Sequence, residues 1–279
     1  MRSMTTTRKM VIFSDLDGTL LDRDTYSFEA ATPALQLIRL KRIPLILSSS
    51  KTRAEIELYR KKLENDHPFI SENGGAVFVP KDYFSFPFPC DCELEEYCVL
   101  ELGTSYPQII EILNSIKKET GIPMRGFSDL SEKELVSLCG LSPEDAAFAK
   151  KREYDEPFIV EGGAREVETV KEKIRMKRMN YAWGGRFHHI LGKNDKGKAV
   201  GILKELFENQ FFTIATVGIG DSLNDLPMLS AVDHPILLKG DGDLSLGTSS
   251  QIKNLIVWKG IGSQAWNEAI LNVLRKIKI

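Results

Sequence analysis

Asp15 and Asp17 stand two residues apart in Asp15-Leu16-Asp17-Gly18-Thr19-Leu20, directly after the apolar run Met10-Val11-Ile12-Phe13. In an extended chain, residues at that spacing project to the same side, so both carboxylates can face one space. Two such groups repel each other unless a cation or a proton lies between them. A hard divalent ion such as Mg²⁺ suits the pair, because it takes oxygen ligands and accepts phosphate in its shell. Gly18 allows the backbone to turn sharply after them. Taken alone, the segment could equally be an Asp-Gly turn closing a buried strand. A second acidic loop weakens that alternative. Gly220-Asp221-Ser222-Leu223-Asn224-Asp225 also follows an apolar run, Phe211 to Val217, and Gly218 and Gly220 keep the backbone open beside it. Asp225, two residues before Pro227, also fits a helix N-cap.

Two further segments offer phosphate contacts. Ser48-Ser49-Ser50-Lys51 places hydroxyls and backbone N–H groups just ahead of a helix start, an arrangement that can cradle a phosphate or simply cap the helix. Asp195-Lys196-Gly197-Lys198 precedes another helix. A lysine there can neutralise a phosphoryl oxygen, although a solvated surface lysine would read the same.

The elements that must hold these residues follow from hydrophobic pattern. Met10 to Ser14 and Pro44 to Leu47 are short apolar runs and are expected as buried strands. Pro33 to Arg42 has helical period. Thr52 with Glu55 forms a capping-box pattern that opens a helix to about Leu63. Phe69-Ile70, the turn Asn73-Gly74-Gly75 and Ala76 to Val79 read as strand, turn, strand. Strand–helix alternation of this kind predicts a parallel sheet covered by helices. The pattern changes after Pro80, where Phe86-Pro87-Phe88-Pro89 suggests a hinge. Val99 to Leu102, Pro157 to Glu161 and Arg186 to Leu191 are expected as strands, and Pro107 to Glu119 and Arg165 to Met179 as helices. Ser131 with Glu134 caps a short helix ending at Gly140, and Ser142-Pro143 opens another. The first pattern then returns. Gly197 to Glu208, Leu226 to Ala231 and Trp266 to Ile277 read as helices, with strands at Phe211 to Val217, Ile236 to Leu238 and Leu255 to Trp258. The expected fold is α/β: a doubly wound parallel-sheet (Rossmann-like) core, residues 1–86 and 190–279, with an inserted α+β cap domain over 87–189.

Composition agrees with this and narrows the function. The chain has 279 residues, 42% hydrophobic and 27% charged, enough for a core without help from disulfides or metals. A formal net charge of -2 gives no argument for nucleic acid or a membrane surface as partner. The apolar run after the polar, basic N-terminus is too short for a signal peptide, and no stretch reaches the length of a membrane span, so a cytoplasmic location is expected. Cys90, Cys92 and Cys98 crowd together, with Cys139 apart. Their spacing lacks the paired ligands of a zinc site, and reduced thiols are expected.

In their order along the chain, the strand ending Asp15-Leu16-Asp17-Gly18-Thr19-Leu20, the strand ending in serine, Asp195-Lys196-Gly197-Lys198 and Gly220-Asp221-Ser222-Leu223-Asn224-Asp225 resemble the motifs of haloacid-dehalogenase-like phosphatases. The resemblance implies Asp15 as the nucleophile that becomes an aspartyl phosphate, and Asp17 as the general acid/base. It implies phosphate contacts from Ser49 (Ser48 being the alternative register) and Lys196. It assigns Mg²⁺ to the Asp15 carboxylate, the Asp17 carbonyl and Asp221, with Ser222, Asn224 or Asp225 in support. The family usually has threonine where this chain has serine, and serine keeps the hydroxyl.

The insertion sits where one subgroup carries a substrate-selecting cap. Ser71-Glu72-Asn73-Gly74-Gly75 resembles a turn of sugar-phosphate phosphatases. Glu101 to Ser105, Lys151 to Phe158 and Gly184 to His189 resemble the mannosyl-3-phosphoglycerate phosphatases. That resemblance implies a phosphorylated sugar bearing a glycerate carboxylate, in mannosylglycerate (compatible-solute) synthesis, with the glucosyl analogue also accepted. Arg186, after two glycines, is suited to a bidentate carboxylate contact. Arg152, Glu153, Asp155, Thr104, Ser105, Asn73, His188 and His189 are further candidates for reading hydroxyls or the carboxylate. Alternation in a strand sends only one of the two histidines inward. The competing assignments are a sugar-phosphate phosphatase of other specificity, a phosphohexomutase on the same scaffold, and a non-catalytic sugar-phosphate-binding protein.

Overall fold

A computed structural model describes residues 8–184, 186–240 and 251–277. Its strands are β1 (Lys9–Ser14), β2 (Leu45–Ser48), β3 (Phe69–Ser71), β4 (Ala76–Pro80), β5 (Cys92–Leu94), β6 (Tyr97–Glu101), β7 (Met124–Gly126), β8 (Asp155–Val160), β9 (Asn180–Trp183), β10 (His188–Leu191), β11 (Ile214–Gly220), β12 (His234–Lys239) and β13 (Ile256–Lys259). The α-helices are α1 (Thr32–Leu40), α2 (Arg53–Lys62), α3 (Tyr106–Thr120), α4 (Glu132–Cys139), α5 (Pro143–Ala149), α6 (Ala164–Met176), α7 (Lys196–Phe211), α8 (Leu226–Ser230) and α9 (Gly262–Lys276). Among the described residues no helix is long and apolar enough to cross a membrane.

The larger sheet runs β13-β12-β11-β1-β2-β3-β4-β6-β5. From β13 to β3 its pairings are parallel, and beyond β3 they are antiparallel. β11 and β1 lie at the centre of its parallel part, and their near-continuous apolar runs are buried on both faces, as covering helices require. One face packs Met10, Ile12, Leu45 and Leu47 against α1 and α9, around the fully buried Trp266. The other packs Val11, Phe13 and Ile46 against α7 and α8, around Phe207. The α/β core is as expected. The strand read at Phe211 to Val217 starts later, at Ile214, because α7 continues to Phe211. It also runs on through Gly218 and Gly220, where a side chain at Gly218 would overlap Val232.

The smaller sheet, β7-β8-β10-β9, is antiparallel and covers its own apolar cluster of Ile109, Leu113, Phe158 and Ile174 with α3 and α6. The expected division at residue 87 falls between two strands of the larger sheet. The segment 92–101 extends the larger sheet through β4–β6, with Ala76 opposite Glu101, so the changeover comes after Glu101. At the far side β10 pairs with β8 up to Leu191, so that changeover also comes later than residue 190. Residues Pro87 to Asp91 are therefore a connection within the larger sheet, and Phe86 and Phe88 pack on its apolar face.

The cysteine expectation needs correction. Cys90 and Cys98 form a disulfide, because the β5–β6 hairpin brings their Cα atoms to 5.6 Å, while Cys92 and Cys139 are free.

Candidate active site

Asp15 begins the loop after β1, and Asp221 the loop after β11, its parallel neighbour. Ligands of open α/β sheets sit beyond the carboxyl ends of such strands. The ladder continues one step past β1, where Asp15 N donates to Ile219 O at 3.0 Å, fixing the two loops side by side. Asp225 lies in the short 3₁₀ turn after β11 and accepts backbone N–H bonds from Asp221 (3.1 Å) and Ser222 (3.0 Å). Oxygens of Asp15, Asp221 and Asp225 consequently lie within 4.8 Å of one another. Gly18 has φ +76°, and a Cβ there would overlap the Asp221 carboxylate, so the turn after the first pair is possible only without a side chain.

Three carboxylates this close need positive charge, and the chain supplies part of it. Lys196, the first residue of α7 and fully buried, donates to Asp15 Oδ1 at 2.6 Å and Asp225 Oδ1 at 2.7 Å. Burial works against its charge, but the two aspartates outweigh burial and hold its pKa above the usual lysine range. Arg23 reaches Asp221 Oδ2 at 2.9 Å from the solvent side. Even so, burial first and then the neighbouring aspartates push the Asp15 carboxyl well up, and Asp221 is raised to about 6 by burial and Asp225. A set of oxygens only, short of positive charge, is the donor chemistry of a hard divalent cation.

The site opens into a cavity between the two sheets. Asp15, Asp17, Lys51 and Asp221 line it from below, and Arg152, Arg186 and His189 from the inserted block. Ser222 and Asn224 are also on its wall. Polar contacts span the gap: Arg152 Nη1 donates to Ser50 O (2.7 Å), Thr52 Oγ1 to Phe148 O (3.0 Å) and Tyr26 Oη to Cys139 O (3.4 Å). Glu72 closes the join by accepting from the backbone N–H groups of Glu153 (2.9 Å) and Tyr154 (2.8 Å).

Not every expected residue reaches the cavity. Ser48 and Ser49 lie beneath its floor. Ser48 Oγ is buried without a partner, and Ser49 Oγ accepts from Lys51 N at 3.2 Å. Ser50 and Lys51 form the wall instead. Asp155 is fully buried between Asn73 Nδ2 (2.7 Å) and His189 Nδ1 (2.9 Å), so it orients neighbours rather than facing a ligand. Asn73, with φ +55°, also accepts from Asn224 Nδ2 at 2.9 Å. Glu153 pairs with Arg53 at 3.6 Å. Thr104 packs against Gly192, and Ser105 starts α3 without a side-chain cap bond. The two histidines divide as strand alternation requires. His189 faces the cavity, whereas His188 bonds Tyr181 Oη at 2.7 Å and stacks near Trp183. Arg186 lines the cavity but donates to the C-terminal carbonyls of α4, Leu138 O (2.7 Å) and Cys139 O (3.2 Å).

Lys51, Glu55, Arg23 and Tyr26 were not legible as site residues. Lys51 closes the serine run, and the run assigns it no role of its own. The structure buries it, 3.0 Å from Asp17 Oδ2 and 3.3 Å from Glu55 Oε1.

Fold and carboxylate cluster together define a haloacid dehalogenase-like hydrolase, and residues 12–86 match the model of that family. A haloacid dehalogenase-like hydrolase from B. subtilis superposes with a TM-score of 0.66 at 16% identity, covering 96% of this chain and 99% of that one. A glucosyl-3-phosphoglycerate/mannosyl-3-phosphoglycerate phosphatase of Methanococcoides burtonii is 49% identical over 271 residues, 96% of this chain and 98% of that one. A mannosyl-3-phosphoglycerate phosphatase of Pyrococcus furiosus is 36% identical over 84% of this chain and 91% of its own. The chain belongs to this family of phosphoric monoester hydrolases.

Proposed function

We propose that the chain hydrolyses mannosyl-3-phosphoglycerate, and its glucosyl analogue as well, to the glycosylglycerate and phosphate, acting in the cytoplasm in compatible-solute synthesis. The observation that carries this reading is the convergence of Asp15, Asp221 and the buried Asp225 under a cavity floored by Asp15 and Asp221 and roofed by Arg152, Arg186 and His189. The floor suits a phosphoryl group with a metal ion, and the roof suits an anionic leaving portion such as a glycerate. Relatives whose names carry both glycosyl forms support the double specificity. Residues 102–191, bounded by the changes of sheet, act as the cap.

Asp15 attacks phosphorus. The bond from phosphorus to the glycerate oxygen breaks, and Asp17 delivers a proton to that oxygen. Asp17 then takes a proton from the water that opens the aspartyl phosphate. Lys196 holds Asp15 in place and offsets its charge. Asp15, Asp221 and Asp225, with the Asp17 carbonyl and support from Ser222 and Asn224, are the residues to hold Mg²⁺. When bound, the ion offsets repulsion between carboxylate and phosphate and orients the phosphoryl oxygens. His189, its Nδ1 fixed on Asp155, presents Nε2 beside Gly184, where a Cβ would come within 3.0 Å of it. That nitrogen is a contact for the sugar or glycerate.

Inorganic phosphate release from a substrate panel tests the assignment. The two glycosyl-3-phosphoglycerates are expected to give the highest kcat/KM, and faster turnover of simple hexose phosphates would overturn it. A bisphosphate requirement without net phosphate release would point to a mutase.

The Mg²⁺ requirement should depend on pH with a definite sign. Asp221 binds a proton up to about pH 6 in the metal-free protein, and a metal ligand must be ionised. The Mg²⁺ concentration for half-maximal activity is expected to rise as pH falls through that value, while EDTA stops turnover and added Mg²⁺ restores it. A half-saturation point unchanged between pH 7.5 and pH 5 would refute this.

A further inference from the structure

We infer that Lys51 is a positioning residue for the general acid: its ammonium, anchored on Glu55, holds the Asp17 carboxylate in the orientation that delivers a proton to the leaving oxygen. The inference rests on the proposed role of Asp17 and assigns that role a partner.

Asp17 needs one. Its side chain is 39% exposed at the cavity. Among the described residues its one ion pair is with Lys51, at 3.0 Å through Oδ2. Its Oδ1 is buried and makes no hydrogen bond among the described residues. An ammonium on Oδ2 fixes the rotamer of the carboxylate at the cavity wall.

Lys51 is itself held from three sides. Its Nζ lies 3.3 Å from Glu55 Oε1. The other Glu55 oxygen accepts from Thr52 N at 2.9 Å in the capping box of α2, so the glutamate is part of a rigid helix start. The rings of Tyr26 and Tyr59 lie 5.2 and 5.7 Å from Nζ and favour a cation between them. The backbone N–H of Lys51 donates to Ser49 Oγ, which fixes the stem. The result is a short rigid line from α2 through Glu55 and Lys51 to Asp17. By contrast, Lys196 serves Asp15 and Asp225 and does not touch Asp17. Each lysine thus has its own aspartate of the pair.

Leaving-group dependence distinguishes this role from simple phosphate binding or structural support. An alkyl phosphate needs its leaving oxygen protonated, whereas p-nitrophenolate leaves without help. The readout is kcat/KM, which reports the step that breaks the bond to the leaving group. Asp17→Asn is the control, expected to lower kcat/KM for the best glycosyl-3-phosphoglycerate by about 10²–10⁴-fold and for p-nitrophenyl phosphate far less. Lys51→Met is expected to show the same selectivity, with an alkyl loss at least about tenfold larger than the aryl loss. Lys51→Arg should restore the alkyl-to-aryl ratio to within about threefold of wild type. Retained aryl phosphatase activity certifies folding, and Lys51→Gln carries the same comparison should the methionine variant fail to fold. Equal losses on both substrates in Lys51→Met or Lys51→Gln, with Asp17→Asn still selective, overturn the assignment to Lys51 alone. Equal losses in Asp17→Asn overturn the general-acid reading beneath it.

Discussion

Asp15→Asn is expected to leave no detectable turnover of any phosphate monoester, a fall of at least about 10⁶-fold. The amide has nearly the same shape and cannot attack phosphorus. Folding should survive, for a reason visible in the charges. The variant loses the charge of the ion pair with Lys196 while its amide oxygen can still accept from the ammonium, it removes one of three clustered carboxylates, and Asp225 still pairs with the lysine at 2.7 Å. A cooperative unfolding transition together with complete loss of phosphate release confirms the nucleophile. Substantial turnover by Asp15→Asn would end the aspartyl-phosphate mechanism.

Lys196→Met should be the most destabilising change at the site and should abolish activity with it. Lys196 is fully buried and satisfies two aspartates at once. Removing it leaves two carboxylates facing each other without a cation. Breaking a buried pair from one side costs about 3–5 kcal/mol. For a chain of this size that lowers Tm by roughly 2 °C per kcal/mol, a fall on the order of 6–10 °C. The deficit comes from unpaired charge, so Asp225→Asn in the Lys196→Met background should recover part of the Tm without recovering activity. Thermal unfolding of the single and double variants checks this. A single variant as stable as wild type would mean that Lys196 is not the counter-charge the geometry implies.

The two lysines show how far one sequence can be read. Lys196 precedes a helix within Asp195-Lys196-Gly197-Lys198, and its motif neighbours mark it as a phosphate contact. Its bonds to Asp15 and Asp225 depend on a chain crossing that no local pattern records. Lys51 ends a serine run that gives it no role of its own, and only the fold brings Asp17 within 3.0 Å of it. The candidate carboxyl-reading residues divided for the same reason. Asp155 and Arg152 share one charged stretch, yet Asp155 is buried in β8 of the smaller sheet, tied to His189 and Asn73, while Arg152 precedes the strand and faces the cavity. Arg186 lines the cavity, with donors committed to the end of α4.

By itself the sequence determined the α/β core, its central strands, the helix caps and the two acidic loops, because these follow from hydrophobic period, capping spacing and glycine placement within a few residues of one another. Only the tertiary structure decided which residues share the cavity, which lysine serves which aspartate, that 92–101 extends the larger sheet, and that Cys90 meets Cys98. Those outcomes depend on pairings and burial between distant segments. The side chains concerned are polar, and the partner that makes each one stable or available lies elsewhere along the chain.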